Sequence, residues 1–186
     1  MLNYVKLLFL NYKRINLPFG NEMSRALFIL LFCCCIVTAC KKESVTGAAA
    51  EKAQAIIDDK IISDYIAAHP GLNAKRIDTT GVFYIVVQPG DGNALFTNST
   101  QVTVGYTGRL LTNGQVFTKT DNIHPSFVLS SVIRGWQLGI PQVKKGGIVR
   151  LLLPSRYAYG PFAQSQLGLP ASAVLDFDIQ LYDIIN

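Results

Sequence analysis

The chain has 186 residues, 49% of them hydrophobic and 16% charged, a size that suits one compact domain with appendages. Most of its formal charge of +5 sits at the N-terminus: Lys6, Lys13, Arg14 and Arg25 precede position 40 against one acid, Glu22, and from Cys40 onward 13 basic residues face 11 acidic ones. That near-neutral balance leaves no electrostatic footprint for nucleic acid, and no run of like charge is long enough to form a basic or acidic tail.

All four cysteines, Cys33, Cys34, Cys35 and Cys40, lie in one short stretch, and the 146 residues after Cys40 contain none. A disulfide framework and a Cys/His metal site are therefore not expected in the folded part, and no metal or cofactor is called for. The two histidines, His69 and His124, stand alone and read as surface or turn residues.

Residues 23–40 read MSRALFILLFCCCIVTAC. Arg25 supplies a positive start, and Ala26 to Ala39 is an uncharged run of 14 residues. A membrane span needs ~20, whereas a signal-peptide core is shorter. The run ends Val37-Thr38-Ala39-Cys40, followed by Lys41-Lys42-Glu43. An aliphatic residue, two small ones and a cysteine resemble the lipobox of bacterial lipoproteins. That resemblance implies cleavage before Cys40, acylation of its thiol and anchoring to a membrane of the cell envelope, on the periplasmic side or at the outer membrane. The plainer reading is an ordinary signal peptide or an uncleaved anchor. Residues 1–39 are thus expected to be a signal peptide, with Met23 as an alternative start, and 40–49 a polar tether.

From Ala50 the pattern is helical. Ile57, Ile61, Tyr65 and Ala68 recur at intervals of four and three, and Ile56, Ile62 and Ile66 widen the stripe. Asp58, Asp59, Lys60, Ser63 and Asp64 fill the other face, and Pro70-Gly71 ends the helix. Residues 50–78 are therefore a leader helix and linker. The stripe can pack on the rest of the chain or on a second copy; packing within the chain is the expectation.

From Gly81 the spacing becomes that of strands. VFYIVVQ (82–88) is β-branched and aromatic, and PGDG (89–92) has turn chemistry. QVTVGYTGRLL (101–111) puts Val102, Val104 and Tyr106 on one face, and TNG (112–114) offers a hairpin turn. GIVRLLLP (147–154) is a strand closed by proline. In AVLDFDIQLYDI (173–184), Leu175, Phe177, Ile179 and Leu181 alternate with Asp176, Asp178, Gln180 and Tyr182, as one buried and one wet face require. VIRGWQLGIPQV (132–143) is the one short helical candidate, too short and glycine-rich to stand alone, so it must lie against the sheet. The expected class is α+β: an antiparallel sheet wrapped around a short helix, preceded by one N-terminal helix.

Four stretches, VGYTGRLLTNGQVF (104–117), VIRGWQLGI (132–140), YAYG (157–160) and LDFDIQL (175–181), resemble in this order the FKBP-type peptidyl-prolyl cis-trans isomerases. With the strand at 82–88 they cover 79–186, a whole family domain. The resemblance implies a five- or six-stranded sheet around a short helix, with a pocket between them that takes a prolyl ring. It implies isomerisation of the bond before proline in exported, proline-containing polypeptides, assisting their folding without cofactor. Macrolide ligands of the family are candidate occupants of the same pocket. The leader helix resembles that of some exported bacterial members.

The chemistry suits the composition. Rotation about a peptide bond faces a barrier of ~18–20 kcal/mol because resonance makes the bond partly double. No covalent step is needed, so the absence of a triad costs nothing. A dry aromatic pocket favours the twisted amide over the planar, charge-separated one.

Carried over residue by residue, the resemblance makes Trp136 the pocket floor and Tyr106, Phe117, Val132, Ile133 and Phe177 its walls. Tyr159 donates its hydroxyl to a substrate carbonyl, and the Ile133 N–H makes a second such bond. Leu169 falls in the loop over the pocket and Phe127 near its rim. Taken singly, Phe117 and Phe177 read as core aromatics, Trp136 as buried area and Tyr159 as a turn tyrosine; their joint order reverses that. One departure stands out: after the wall phenylalanine the family usually has Asp, and here Phe117 is followed by Thr118. Thr118 remains a substrate-contact candidate but lacks the charge. The loop after YAYG, PFAQSQLGLPAS, also departs. The alternative function is therefore an FKBP-fold binding or chaperone module of low or no isomerase activity.

Overall fold

The computed structural model describes residues 43–186 apart from 93 and 94. The expected signal peptide, the alternative start at Met23 and the lipidation site Cys40 lie outside the described residues.

Helix α1 spans Glu43–Ala68, beginning earlier than the sequence pattern suggests. The segment expected to be tether is helical from Glu43. Ala48, Ala49 and Ala50 explain the extension, since alanine carries the lowest cost of helix propagation. Pro70 ends it in a single turn of 3-10 helix, Pro70–Leu72.

Among the described residues seven strands follow: β1 (Lys75–Arg76), β2 (Phe83–Gln88), β3 (Gln101–Leu110), β4 (Val116–Lys119), β5 (Ser126–Val128), β6 (Ile148–Leu153) and β7 (Leu175–Ile185). They form one antiparallel sheet in the order β1-β2-β6-β7-β3-β4, with β5 on the same edge of β3 as β4. Helix α2, Arg134–Gly139, lies between β5 and β6 in sequence. The architecture is the expected one, with short β1 and β5 added to the five longer strands.

β7 is central. Leu175, Phe177, Ile179 and Leu181 are buried on its inner face with Val102, Val104, Leu151, Leu153, Ile140 and Trp136. The register sets Tyr106 opposite Ile179 and Gly108 opposite Phe177. On the outer face a second, smaller core gathers Ile62 of α1 with Leu111, Leu152 and Val174, flanked by Tyr65, Ile66, Phe83 and Ile85. The continuous LLL run of β6 follows from this: Leu151 and Leu153 face one core and Leu152 the other.

Two sequence expectations change here. The face of α1 that packs is rotated from the expected stripe. Asp58, assigned to the solvent face, is fully buried, while Ile56 and Ile57 are exposed. Asp58 shares a face with Ile61, Ile62 and Tyr65, three, four and seven residues on, and its carboxylate is satisfied by Ser155. Likewise the second face of β7 is not uniformly wet. Asp176 is buried because α1 covers that end of the sheet and Arg150 pairs with it at 2.8 and 2.9 Å. The same guanidinium donates to the Tyr65 hydroxyl at 2.7 Å, tying helix to sheet.

α2 lies directly on β6. Its glycines, Gly135 and Gly139, four residues apart, face Leu153 and Leu151 so closely that an added Cβ would overlap both leucine side chains. The glycines that make this helix weak in isolation are what bring it to the sheet. Leu151 is fully buried and has no space to yield. Gly139→Ala is therefore expected to lower stability by about 1–2 kcal/mol, the overpacking cost exceeding the gain in helix propensity. Urea unfolding followed by Trp136 fluorescence measures it.

Candidate functional site

The strands and α2 leave a cavity of about 290 Å³ between them, lined by Tyr106, Thr118, Phe127, Ser131, Val132, Ile133, Trp136, Tyr159, Leu167 and Phe177. Its aromatic rings meet edge to face. Trp136 stands 4.9 Å from Tyr106 and 5.2 Å from Phe177, at 76° and 87°. Phe127 closes on Trp136 at 6.3 Å. Such geometry sets the positive edge of one ring on the negative face of the next.

Each ring comes from a different element, which is why so many non-local pairings are needed to build the site. Trp136 occupies the first turn of α2, buried with its indole nitrogen unpartnered among the surrounding rings. Tyr106 is pinned by Thr120, whose hydroxyl accepts the Tyr106 N–H at 2.7 Å and whose own N–H donates to the Tyr106 carbonyl at 2.9 Å. The Val132–Ile133 segment is held by Gln137, which donates from its amide to the Val132 carbonyl at 2.8 Å. The Ile133 carbonyl opens α2 by accepting the Trp136 N–H at 2.9 Å. Tyr159 sits beyond a 3-10 turn, Ser155–Tyr157, that follows β6. Burial, and secondly the nearby Tyr106, push its phenol above the ordinary value of 10.0.

The cavity thus brings together seven of the residues expected from the sequence: Tyr106, Thr118, Val132, Ile133, Trp136, Tyr159 and Phe177. Phe127, expected near the rim, is also in its lining. Phe117 is not. It meets Phe177 edge-on at 5.6 Å and packs against that wall. Gly108 makes room for the pair, since a Cβ there would lie 2.6 Å from the Phe177 ring and 2.7 Å from that of Phe117. Leu169 lies in the loop after Tyr159 but turns into the core, and Leu167 is that loop's residue at the cavity. Ser131, Leu167, Thr120 and Gln137 escaped the sequence reading. Gln137 follows Trp136 directly and carried a signal, a lone amide beside the pocket segment; the others carried none. A second cavity of about 240 Å³ lies on the outer face beside Asp178, Gln180 and Tyr182, where His124 stacks on Tyr182 at 3.8 Å.

A family model described as FKBP-type peptidyl-prolyl cis-trans isomerase matches residues 92–182. FK506-binding protein 1 of Candida glabrata is 38% identical over 102 residues, 53% of this chain and 88% of that protein. The chain belongs to the FKBP-type family. It is also similar to the FKBP-type isomerase FkpA of Buchnera aphidicola from Acyrthosiphon pisum, 35% identical over 127 residues, 66% of this chain and 50% of that one. The chain thus spans half the length of this FkpA relative. Among solved structures, FkpA from Escherichia coli superposes with a TM-score of 0.59 at 29% identity, covering 89% of this chain and 73% of its own. A peptidyl-prolyl isomerase from Pseudomonas syringae superposes with a TM-score of 0.58 at 27% identity, covering 75% and 96%.

The upward shift of Tyr159 sets a pH dependence. A phenol favoured in its neutral form keeps its proton as pH rises past the ordinary range. In a spectrophotometric titration of phenolate formation, Tyr159 is expected to ionise above the ordinary tyrosine range. Tyr159→Phe should remove a late component of the curve, and loss of an early component would contradict the burial argument.

Proposed function

We propose that the protein is a peptidyl-prolyl cis-trans isomerase that assists the folding of exported, proline-containing polypeptides, held at the cell envelope by lipid on Cys40. The observation that carries the enzymatic part is the cavity itself. It is a set of interlocked rings around a space of about 290 Å³, with two phenols, Tyr106 and Tyr159, in its lining.

The mechanism follows from what such a cavity offers an amide. The planar X–Pro bond owes its barrier to resonance that places negative charge on oxygen, which water stabilises. The ring faces of Tyr106, Trp136 and Phe177 take the place of much of the water that would otherwise solvate that charge. The twisted amide has lost the resonance and part of the charge, so it suffers less from desolvation than the planar one. The Tyr159 hydroxyl and the Ile133 N–H are the donors that hold the substrate carbonyl in place. Val132, Ile133 and Leu167 would shape the entrance for the ring. Macrolide ligands would enter the same space.

Thr118 supports the second reading, a binding module with weak catalysis. It lines the cavity where the resemblance leads one to expect Asp, and a hydroxyl supplies less electrostatic stabilisation than a carboxylate. Wild type is expected to accelerate exchange of X–Pro peptides measurably, and Thr118→Asp to raise the rate about ten-fold, on the order of 1–2 kcal/mol of barrier. A protease-coupled isomerisation assay decides this. Activity at background in both proteins, with quenching of Trp136 by a macrolide, would replace the enzyme with the binding module. Absence of quenching as well would remove the pocket assignment.

The anchor rests on the VTAC run at the end of a short apolar stretch, with polar residues after it. One acyl chain binds membranes only marginally, so stable attachment needs more than one. Mass spectrometry of the membrane-extracted protein is expected to find a diacyl or triacyl group on Cys40, and Cys40→Ser to release the protein or leave it unprocessed. An unmodified Cys40, or a mature chain that starts elsewhere, rules the anchor out.

A further inference from the structure

The turn that carries Tyr159 is gripped from behind by α1. Asp58 is wholly buried, 0% exposed, a rare position for a carboxylate unless its oxygens are hydrogen-bonded. One oxygen, Oδ2, accepts both the Ser155 N–H at 2.9 Å and the Ser155 hydroxyl at 2.6 Å. The other accepts the Gln54 amide at 2.7 Å. Ser155 is the residue on which the turn closes: its carbonyl accepts the Ala158 N–H at 2.9 Å and the Gly160 N–H at 2.8 Å. Tyr159 lies between those two donors. The next residue, Arg156, adds a second grip, donating to Asp59 at 2.7 Å and to the Thr80 carbonyl at 2.8 Å.

Docking the helix does not require this arrangement. Ile62 already seats α1 on Leu111, Leu152 and Val174, and a buried carboxylate adds desolvation cost where an apolar residue would add none. What Asp58 contributes beyond docking is a fixed Ser155. On the other side of the turn, the Tyr159 ring lines the cavity. A hydroxyl at the end of a long side chain keeps its place only as well as its backbone does, and misplacement by about 1 Å is enough to lower a rate severely.

We propose that Asp58 is a positioning residue of the isomerase site, acting through Ser155 to fix the turn that presents the Tyr159 hydroxyl, so that the leader helix is a working part of the site. The inference rests on the isomerase reading. It distinguishes itself from plain docking in one respect: an effect transmitted through the Tyr159 hydroxyl disappears when that hydroxyl is absent.

The test is a double-mutant cycle in the full-length protein. Asp58→Ala is expected to lower kcat and kcat/KM for an X–Pro peptide together, about ten-fold. Asp58→Asn, whose side-chain oxygen can still accept from Ser155, should recover most of the loss. Asp58→Ala combined with Tyr159→Phe should be no slower than Tyr159→Phe alone. In tyrosine-labelled protein, the Tyr159 ring signals, assigned by their absence in Tyr159→Phe, should shift or broaden in Asp58→Ala while those of Tyr182 stay. Losses that add in the double variant, or an unmoved Tyr159 signal, overturn the proposal. Should Asp58→Ala fail to fold, Ser155→Ala removes the hydroxyl arm alone and carries the same cycle. An inactive wild type would sink the isomerase reading, and the Tyr159 signal would then decide the positioning claim by itself.

Discussion

The contact between Trp136 and Phe177 is the joint on which the site depends. It fastens α2 to the central strand, edge to face at 5.2 Å. The other aromatic rings gather on these two. Tyr106 and Phe127 meet the indole, and Phe117 meets the phenyl edge-on. Each such pair contributes on the order of 0.5–1.5 kcal/mol beyond the area it buries, so the four together matter against a net stability of ~5–15 kcal/mol for a domain. The joint forms only because Gly135 and Gly139 let the helix touch β6. A helix one methyl further out would withdraw the indole and open the floor. The rings in the cavity's lining are also packed on one another, Tyr106, Phe127 and Phe177 each meeting Trp136, which holds them as walls.

The outer face of the sheet obeys a different logic. There the join between α1 and the strands is partly polar. Arg150 holds Asp176 with two hydrogen bonds and reaches Tyr65 with another, and the carboxylate pushes the guanidinium pKa upward. A pair this buried adds little net stability but is costly to break, on the order of 3–5 kcal/mol if one partner is removed. Arg109 extends the network to Asp178 at 2.6 Å, where the face becomes open to solvent. Hydrophobic contact at Ile62 supplies the attraction, and the hydrogen bonds from Arg150 to Tyr65 and from Ser155 to Asp58 select one seating of the helix. The sheet is thus buried on both faces at the β6–β7 end and on one face only beyond it, which explains why the outer side of β7 runs from buried Asp176 to exposed Tyr182.

What was legible in the sequence was whatever a single strand or a single motif expresses. The alternation in β7 and the order of the four motifs sufficed for the sheet, for α2 and for most of the cavity wall. What stayed hidden was set by contacts between distant segments. Nothing local marks Asp58 as buried: by composition it belongs with Asp59 and Lys60, and two of the three hydrogen bonds that make its burial tolerable come from Ser155, 97 positions away. Leu167 and Leu169 have the same chemistry and lie two residues apart, and the turn between them, with Gly168 at φ 65°, decides which faces the cavity. Phe117 illustrates the reverse case. Its motif is right and its place adjoins the site, yet its ring packs on Phe177 in the space Gly108 leaves and does not line the cavity.

On the isomerase reading, the environment of Tyr159 also constrains what kind of catalyst this can be. A phenol whose proton is held more tightly than usual is a poor proton donor in the full sense but a durable hydrogen-bond donor. Rotation about an amide asks for the second and not the first: no bond to hydrogen is made or broken, and the carbonyl oxygen is to be oriented rather than protonated. A more acidic phenol would strengthen its bond to the planar amide, whose oxygen carries the greater charge, and so stabilise the ground state at the expense of the twisted one. The same argument bears on Thr118. Any group that holds charge tightly near the carbonyl oxygen must favour the twisted geometry by its position, because by strength alone it favours the planar one. Placement therefore outweighs acidity in this cavity, and the elements that fix placement, Thr120 for Tyr106, Gln137 for the Val132–Ile133 segment and the Ser155 turn for Tyr159, belong to the working site as much as the rings do.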